Sequence, residues 1–182
     1  MSKSIDLHIE PLKRSHNRNC FNCGELALNE YLARYAWQQQ ASNFTRTFVA
    51  VNKKVSEQIL KYYSLAAFGI DRNFLPPMLI KHYPKHPFPV IRLARLAVDC
   101  ESQGMKFGKE LLVNAMLRIF RVSQDIGCAA ILVDAKHDSA RRFYERFHFV
   151  ALPEQPFTLW LPLNIAQKLY QTTEQPIELA TT

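Results

Sequence analysis

Val90–Leu112, VIRLARLAVDCESQGMKFGKELL, is the stretch that decides the fold. An apolar strand pattern, Val90 to Val98, passes through a glycine-bearing loop directly into an amphipathic helix. A corner of this kind aims backbone N–H groups and the positive end of a helix at one point, where an anion is welcome. The wording is not that of a nucleoside triphosphate loop, because GxxxxGK followed by Ser or Thr is absent, and no GxGxxG follows the strand for a dinucleotide. Gln103, Gly104 and Gly108 stand instead at Q-G-x-x-x-G spacing. The corner points to a phosphate-bearing ligand, although a strand–loop–helix turn can also serve structure alone.

Outward from this corner the pattern alternates between strands and helices. Ile5–Ile9 reads as a short edge strand. In FNCGELALNEYLARYAWQQQA, residues Leu28, Tyr31, Leu32, Tyr35 and Ala36 recur at three- and four-residue steps and mark the apolar face of one or two helices. Thr47–Val51 and Ile59–Ile70 read as strands joined across KKVSE. Five prolines between Asp71 and Pro89 deny that segment a continuous helix or central strand, so it is expected to be a loop. A helix is expected from about Gly108 to Ile126, burying Leu111, Leu112, Ala115, Met116, Ile119 and Val122 and ending at Gly127. Ala129–Ala135 reads as a buried strand. Asp138 is placed to cap a helix that carries Ala140, Phe143, Tyr144 and Phe147 on one face. Val150 and Phe157–Leu161 complete the strands, and residues 171–182 read as a frayed tail after a domain of residues 1–170.

Composition sets the boundaries. A chain of 182 residues with 48% hydrophobic content suits one domain with a real core. No apolar run approaches the roughly 20 residues of a bilayer-spanning helix, and the first residues lack a signal-peptide core, so a cytoplasmic protein without a membrane partner is expected. The net charge of +7 favours polyanionic partners, nucleic acid among them, and is equally compatible with a solvated basic surface. Cys20 and Cys23 form a CxxC pair with no second pair to complete a zinc tetrahedron, so neither a metal nor a disulfide framework is expected.

The loop from Gln103 resembles the pyrophosphate loop, Q/R-x-x-G-x-G/A, of the GNAT acetyltransferase superfamily. F-x-C-G-E-x-x-L-N-x-Y-L from Phe21 to Leu32, Tyr62-Tyr63-Ser64-Leu65-Ala66, Arg95-Leu96-Ala97-Val98-Asp99 and Phe143-Tyr144-Glu145-Arg146-Phe147 narrow the resemblance to the tRNA-acetylating toxins of the TacT and AtaT type. The order and spacing of these motifs span most of the chain. The resemblance implies an α/β (α+β) fold, a single GNAT domain with a mixed central sheet flanked by helices. It implies acetyl-CoA as cosubstrate, aminoacyl-tRNA as acceptor, a ribbon-helix-helix antitoxin as partner and a homodimer. Leu96, Ala97 and Val98 would lie along the coenzyme, with the backbone of Leu96 and Val98 pairing with the pantetheine amides. Gln103, Gly104, Met105, Lys106, Phe107, Gly108 and Lys109 would surround the pyrophosphate. Lys106 departs from the family, which places glycine there; in a left-handed conformation a side chain costs about 1–2 kcal/mol, which coenzyme contacts could offset.

The resemblance gives Tyr144 the role of acid toward the departing CoA thiolate. The chemistry is sound, since a phenol with an unperturbed pKa of about 10 stays protonated at neutral pH and can hydrogen-bond a developing sulfur anion. The bland alternative is a core tyrosine whose hydroxyl finds a local partner. The strand VIRLARLAV contains no acid before Asp99. An α-amine, with a pKa of about 7.7–8.0, needs less help to lose its proton than a lysine side chain at about 10.4, so the missing carboxylate favours an α-amine acceptor. Asp99, Glu30 or a water relay stays open as a base. Arg92 and Arg95 fall on opposite faces of an ideal strand, which gives them different roles unless a bulge intervenes. Acetylation of a protein N-terminus, a polyamine or another small amine is the alternative reaction, and a CoA- or RNA-binding module with degraded catalysis the alternative class.

Overall fold

The computed structural model describes residues 7–52, 55–104 and 107–171. It is a mixed α/β structure built on a seven-stranded sheet in the order β1-β2-β3-β4-β5-β7-β6. The strands are β1 (Leu7–Pro11), β2 (Arg46–Asn52), β3 (Val55–Ile70), β4 (Phe88–Val98), β5 (Ala130–Asp134), β6 (Val150–Leu152) and β7 (Gln155–Pro162). Two compact units divide the described chain: residues up to 68 with 91–119, and residues 69–90 with 120 onward.

In the first unit β1, β2 and β3 form an antiparallel meander in which Phe48 pairs with Tyr63 and Val49 with Tyr62. Residues 59–65 of β3 are buried on both faces, polar Lys61 and Ser64 included, whereas residues 57–58 and 67–69 are exposed. Tyr62 joins Leu12, Phe21, Tyr31, Leu32, Val49 and Ala97 in a core beneath the first helical segment. Tyr63 stacks on Phe48 with ring centroids 5.2 Å apart, and its hydroxyl donates to Asn114 Oδ1 at 2.8 Å. Helix α3 (Phe107–Val122) buries Leu111, Leu112, Ala115, Met116 and Ile119. It stops four residues before the expected end, and Val122 is 41% exposed. The N–H groups of Asp125 and Ile126 both turn back to the Val122 carbonyl, so a turn stands where the final helical turn was expected.

The first helical segment is continuous from α1 (Leu26–Glu30) through a π turn (Tyr31–Tyr35) into α2 (Ala36–Ala41). The Ala36 N–H reaches the Tyr31 carbonyl, five residues back. This wide turn explains the one error in the expected face: Leu32 and Ala36 are fully buried, while Tyr35 is swung out to 48% exposure.

In the second unit β5 and β6 both pair antiparallel with β7. Trp160 is 1% exposed and meets Tyr83 edge-on at 5.4 Å, and Tyr83 stacks on Phe88 at 4.9 Å. The proline-rich segment thus supplies a core aromatic, and it contains two short 3-10 turns, Arg72–Phe74 and Ile80–His82. Strand β4 begins at Phe88 and takes in Pro89, whose carbonyl accepts the Ala129 N–H at 2.9 Å. Helix α4 (Asp138–Glu145) is capped one residue earlier than expected: the His137 ring, not Asp138, accepts the Ala140 N–H. Helix α5 (Leu163–Gln171) was not expected from the sequence; it buries Leu163 and Ala166 but leaves Ile165 41% exposed, so its periodicity is faint. Of the expected tail, residues 171–182, Gln171 instead closes α5, and residues 172–182 lie outside the described residues.

Candidate functional site

The corner that the sequence marks as a candidate phosphate site is built in the first unit from two segments 77 residues apart. β4 ends at Val98, and Asp99 opens a 3-10 turn, Cys100–Ser102. One Asp99 oxygen accepts the Glu101 N–H at 3.1 Å and the other the Asn22 N–H at 2.9 Å. The Cys100 N–H donates to the Asn22 carbonyl at 2.8 Å. The Gln103 side-chain amide donates to the carbonyls of Cys23 and Val98, each at 3.0 Å. The FNCGE segment is therefore the outer brace of the loop. In the sequence this segment is a family marker that co-occurs with the loop, and its bracing contacts arise only from the fold.

Gly104 has φ +83°, a left-handed conformation in which a side chain would be strained. Met105 and Lys106 lie outside the described residues, and α3 follows at Phe107. The first N–H groups of such a helix have no partner within it. Beneath its first turn lies Lys61 of β3, 1% exposed, a site neighbour that no motif in the sequence marks. Its ammonium is 3.1 Å from Glu110 Oε2 and 4.4 Å from the centroid of the Phe107 ring. Leu96 and Val98 are half-buried and Ala97 is buried against the Tyr31–Tyr62 core. Asp99, a candidate base, has both oxygens engaged as a cap, and Glu30 faces Arg34 at 3.8 Å. Arg92 and Arg95 stack on different rings, Phe68 and Tyr31.

Tyr144 belongs to the second unit. Its ring is 7% exposed and packs edge-on against Phe143 and Phe149, at 5.2 and 5.7 Å. No described residue hydrogen-bonds its hydroxyl. No fully buried side-chain oxygen among the described residues is left unsatisfied, so the Tyr144 hydroxyl is not completely enclosed. Burial, with a smaller contribution from the Asp134 carboxylate, pushes the phenol well above its usual range, which keeps it protonated. On the exposed side of α4, Ser139, Arg142, Glu145 and Arg146 line an open depression of about 600 Å³.

The end of α4 carries strain. His148 has φ +66°, and the following N–H, of Phe149, closes back onto the Tyr144 carbonyl at 3.3 Å. Replacing a left-handed non-glycine residue relieves about 1–2 kcal/mol, offset in part by about 0.4–1 kcal/mol of glycine chain entropy. His148→Gly is expected to stabilise the protein by about 0.5–1 kcal/mol, read as a raised midpoint in urea denaturation. No group of three or more His, Cys, Asp or Glu among the described residues is arranged to hold a metal ion.

No family model matches the sequence. A tRNA-acetylating toxin of Mycobacterium tuberculosis is 36% identical over 149 residues, covering 82% of this chain and 87% of the relative. A solved structure of KacT, as a tyrosine-to-phenylalanine variant, superposes with a TM-score of 0.84 at 29% identity, covering 90% of this chain and 98% of that one. AtaT complexed with acetyl-methionyl-tRNAfMet superposes with a TM-score of 0.83 at 29% identity, covering 91% and 99%. Other structures of this kind hold acetyl-CoA, or the C-terminus of the antitoxin AtaR. With these proteins matched over nearly their whole length, the chain belongs to the tRNA-acetylating toxins of the TacT and AtaT type, acetyltransferases of GNAT fold.

Proposed function

We propose that this protein transfers acetyl from acetyl-CoA to the α-amine of an aminoacyl-tRNA and so inhibits translation. The observation that carries the reading is the state of Tyr144: a buried ring, a hydroxyl with no protein partner, and a pKa held high. A tyrosine kept only for packing would satisfy its hydroxyl locally, as Tyr62 does with the Leu28 carbonyl at 2.8 Å. In the reaction the neutral amine attacks the thioester carbonyl, the C–N bond forms as the C–S bond breaks, the phenol gives its proton to the departing sulfur, and the proton lost by the amine passes to solvent, from which the phenol is restored. The relatives that make and hold acetylated tRNA support the acceptor, and the basic depression on α4 suits a polyanion.

The coenzyme would lie along Leu96, Ala97 and Val98, with its pyrophosphate against Gly104 to Lys109. Gln103, whose amide is committed to Cys23 and Val98, would hold the loop in shape rather than reach the phosphates through that group. A ribbon-helix-helix antitoxin would neutralise the toxin, and the active form would be a homodimer. The AtaR-bound relatives support an antitoxin partner.

The decisive experiment is mass spectrometry of charged tRNA pools after incubation with acetyl-CoA and the purified protein. A mass increase of one acetyl group on the amino acid is expected, and release of CoA with free amines but not with charged tRNA would reject the reading. The pH profile of kcat/KM gives a second check. The rate should rise as the acceptor amine loses its proton near pH 7.7–8.0. Because the Tyr144 pKa is raised, its acid form persists to higher pH than an ordinary phenol, so no alkaline fall from this group is expected up to about pH 10.

A further inference from the structure

Arg95 is half-buried on β4, immediately before the Leu96–Val98 stretch, and its guanidinium carbon lies 3.8 Å from the centroid of the Tyr31 ring. A guanidinium laid on an aromatic face loses part of its hydration, and a charge in that condition normally finds an acceptor in the protein. Other cations of this chain do: Lys61 meets Glu110, Arg141 meets Glu145, and Arg118 donates to the Tyr63 hydroxyl. Arg95 donates to no described residue and pairs with no described carboxylate.

The plate beneath it is fixed from every side. Tyr31 is 3% exposed and opens the π turn. Its hydroxyl meets Thr45 Oγ1 at 3.1 Å and Thr47 Oγ1 at 3.5 Å, and Thr47 Oγ1 meets Ser64 Oγ at 2.8 Å. Its ring stacks on Tyr62 at 6.3 Å. The chain thus spends four buried hydroxyl-bearing residues on holding one ring still under a guanidinium whose donors are unused.

We propose that Arg95, carried on Tyr31, is a receptor for an oxyanion, namely a phosphate of the tRNA acceptor end, and that it positions that end for transfer. The proposal rests on the aminoacyl-tRNA reading above. In such a substrate the carboxylate is esterified, so its fixed anions are phosphodiesters, which suit the planar fork of a guanidinium. Coenzyme phosphates are the other source of the same chemistry. Arg95 precedes the end of β4 by three residues, about 10 Å along a strand, so it stands apart from the loop assigned to the pyrophosphate.

The test is equilibrium binding of deacylated tRNA and, separately, of acetyl-CoA, across a range of salt concentrations. Arg95→Gln is expected to weaken tRNA binding about ten- to a hundredfold, to lower the salt slope by about one, and to leave acetyl-CoA affinity within about twofold. Tyr31→Leu should reproduce the tRNA loss although the charge remains, while Tyr31→Phe, which keeps the ring, should bind nearly as wild type does. Unchanged tRNA affinity and slope in Arg95→Gln would overturn the proposal. A loss confined to acetyl-CoA would also overturn it, by giving the oxyanion to the coenzyme. Should Arg95→Gln fail to fold, Arg95→Lys keeps the charge without the flat fork, and wild-type tRNA affinity in that variant is equally fatal. If the wild-type protein bound tRNA but acetylated no charged tRNA, the reaction would be refuted, and Arg95 would still be judged by binding alone.

Discussion

Tyr144→Phe is expected to lower acetyl transfer by about 10²- to 10⁴-fold while leaving the thermal midpoint essentially unchanged. Loss of a positioned acid accounts for the first half. The second half follows from the packing: the ring stays between Phe143 and Phe149, and the deleted hydroxyl leaves no protein donor or acceptor unpaired. Removing a buried hydrogen-bonded hydroxyl would instead cost about 1–3 kcal/mol. Single-turnover acetylation of a charged tRNA, together with a melting curve of the same preparation, separates the two effects. A rate within about tenfold of wild type would remove Tyr144 from the acid role. A rate loss accompanied by a large drop in melting temperature would mark it as structural.

Glu110→Ala is expected to destabilise the first unit by about 2 kcal/mol, below the roughly 3–5 kcal/mol of a fully buried pair, because the Glu110 side chain is 60% exposed and partly screened. The asymmetry of the pair is the informative part. Without Glu110, the Lys61 ammonium is left 1% exposed with only the Phe107 face for company. Lys61→Met removes the charge together with its need for a partner and keeps the volume, so a change under about 1 kcal/mol is expected. Glu110 lies in the first turn of α3 and Lys61 on β3 beneath it, so Glu110→Ala should also raise the KM for acetyl-CoA. Urea denaturation of the two variants decides the matter, and equal losses in both would show that the pair acts by attraction rather than by relieving a buried charge.

Much of the architecture was legible because its signals are local. Apolar runs bounded by polar segments placed β2, β5 and the end of β3 within a residue or two, though β3 starts four residues earlier than expected, and three- and four-residue spacing placed α3 and α4. What escaped depended on contacts distant in sequence or on finer backbone geometry. Helix α5 has two buried residues and two exposed apolar ones, too faint a stripe to distinguish from a strand end. The His137 cap needed ring geometry rather than residue type, since Asp138 is by composition the better candidate. The site divides in the same way. Gly104 and the turn around it follow from wording, whereas the Asn22–Asp99 bond and the buried Lys61 belong to pairings that no window of sequence contains.

The π turn between α1 and α2 amounts to a phase slip: one additional residue lets the two ends of a single helix be indexed independently. At one end Tyr31 is pinned by Thr45 and Thr47; at the other, Gln40 donates to the Leu12 carbonyl at 2.8 Å and accepts the Thr47 N–H at 3.1 Å. A regular helix advances about 100° per residue, so excising one residue between these anchors would rotate one end against the other. Only one set of bonds could then survive. The slip is what allows a single strand residue, Thr47, to be read by both ends of the helix at once.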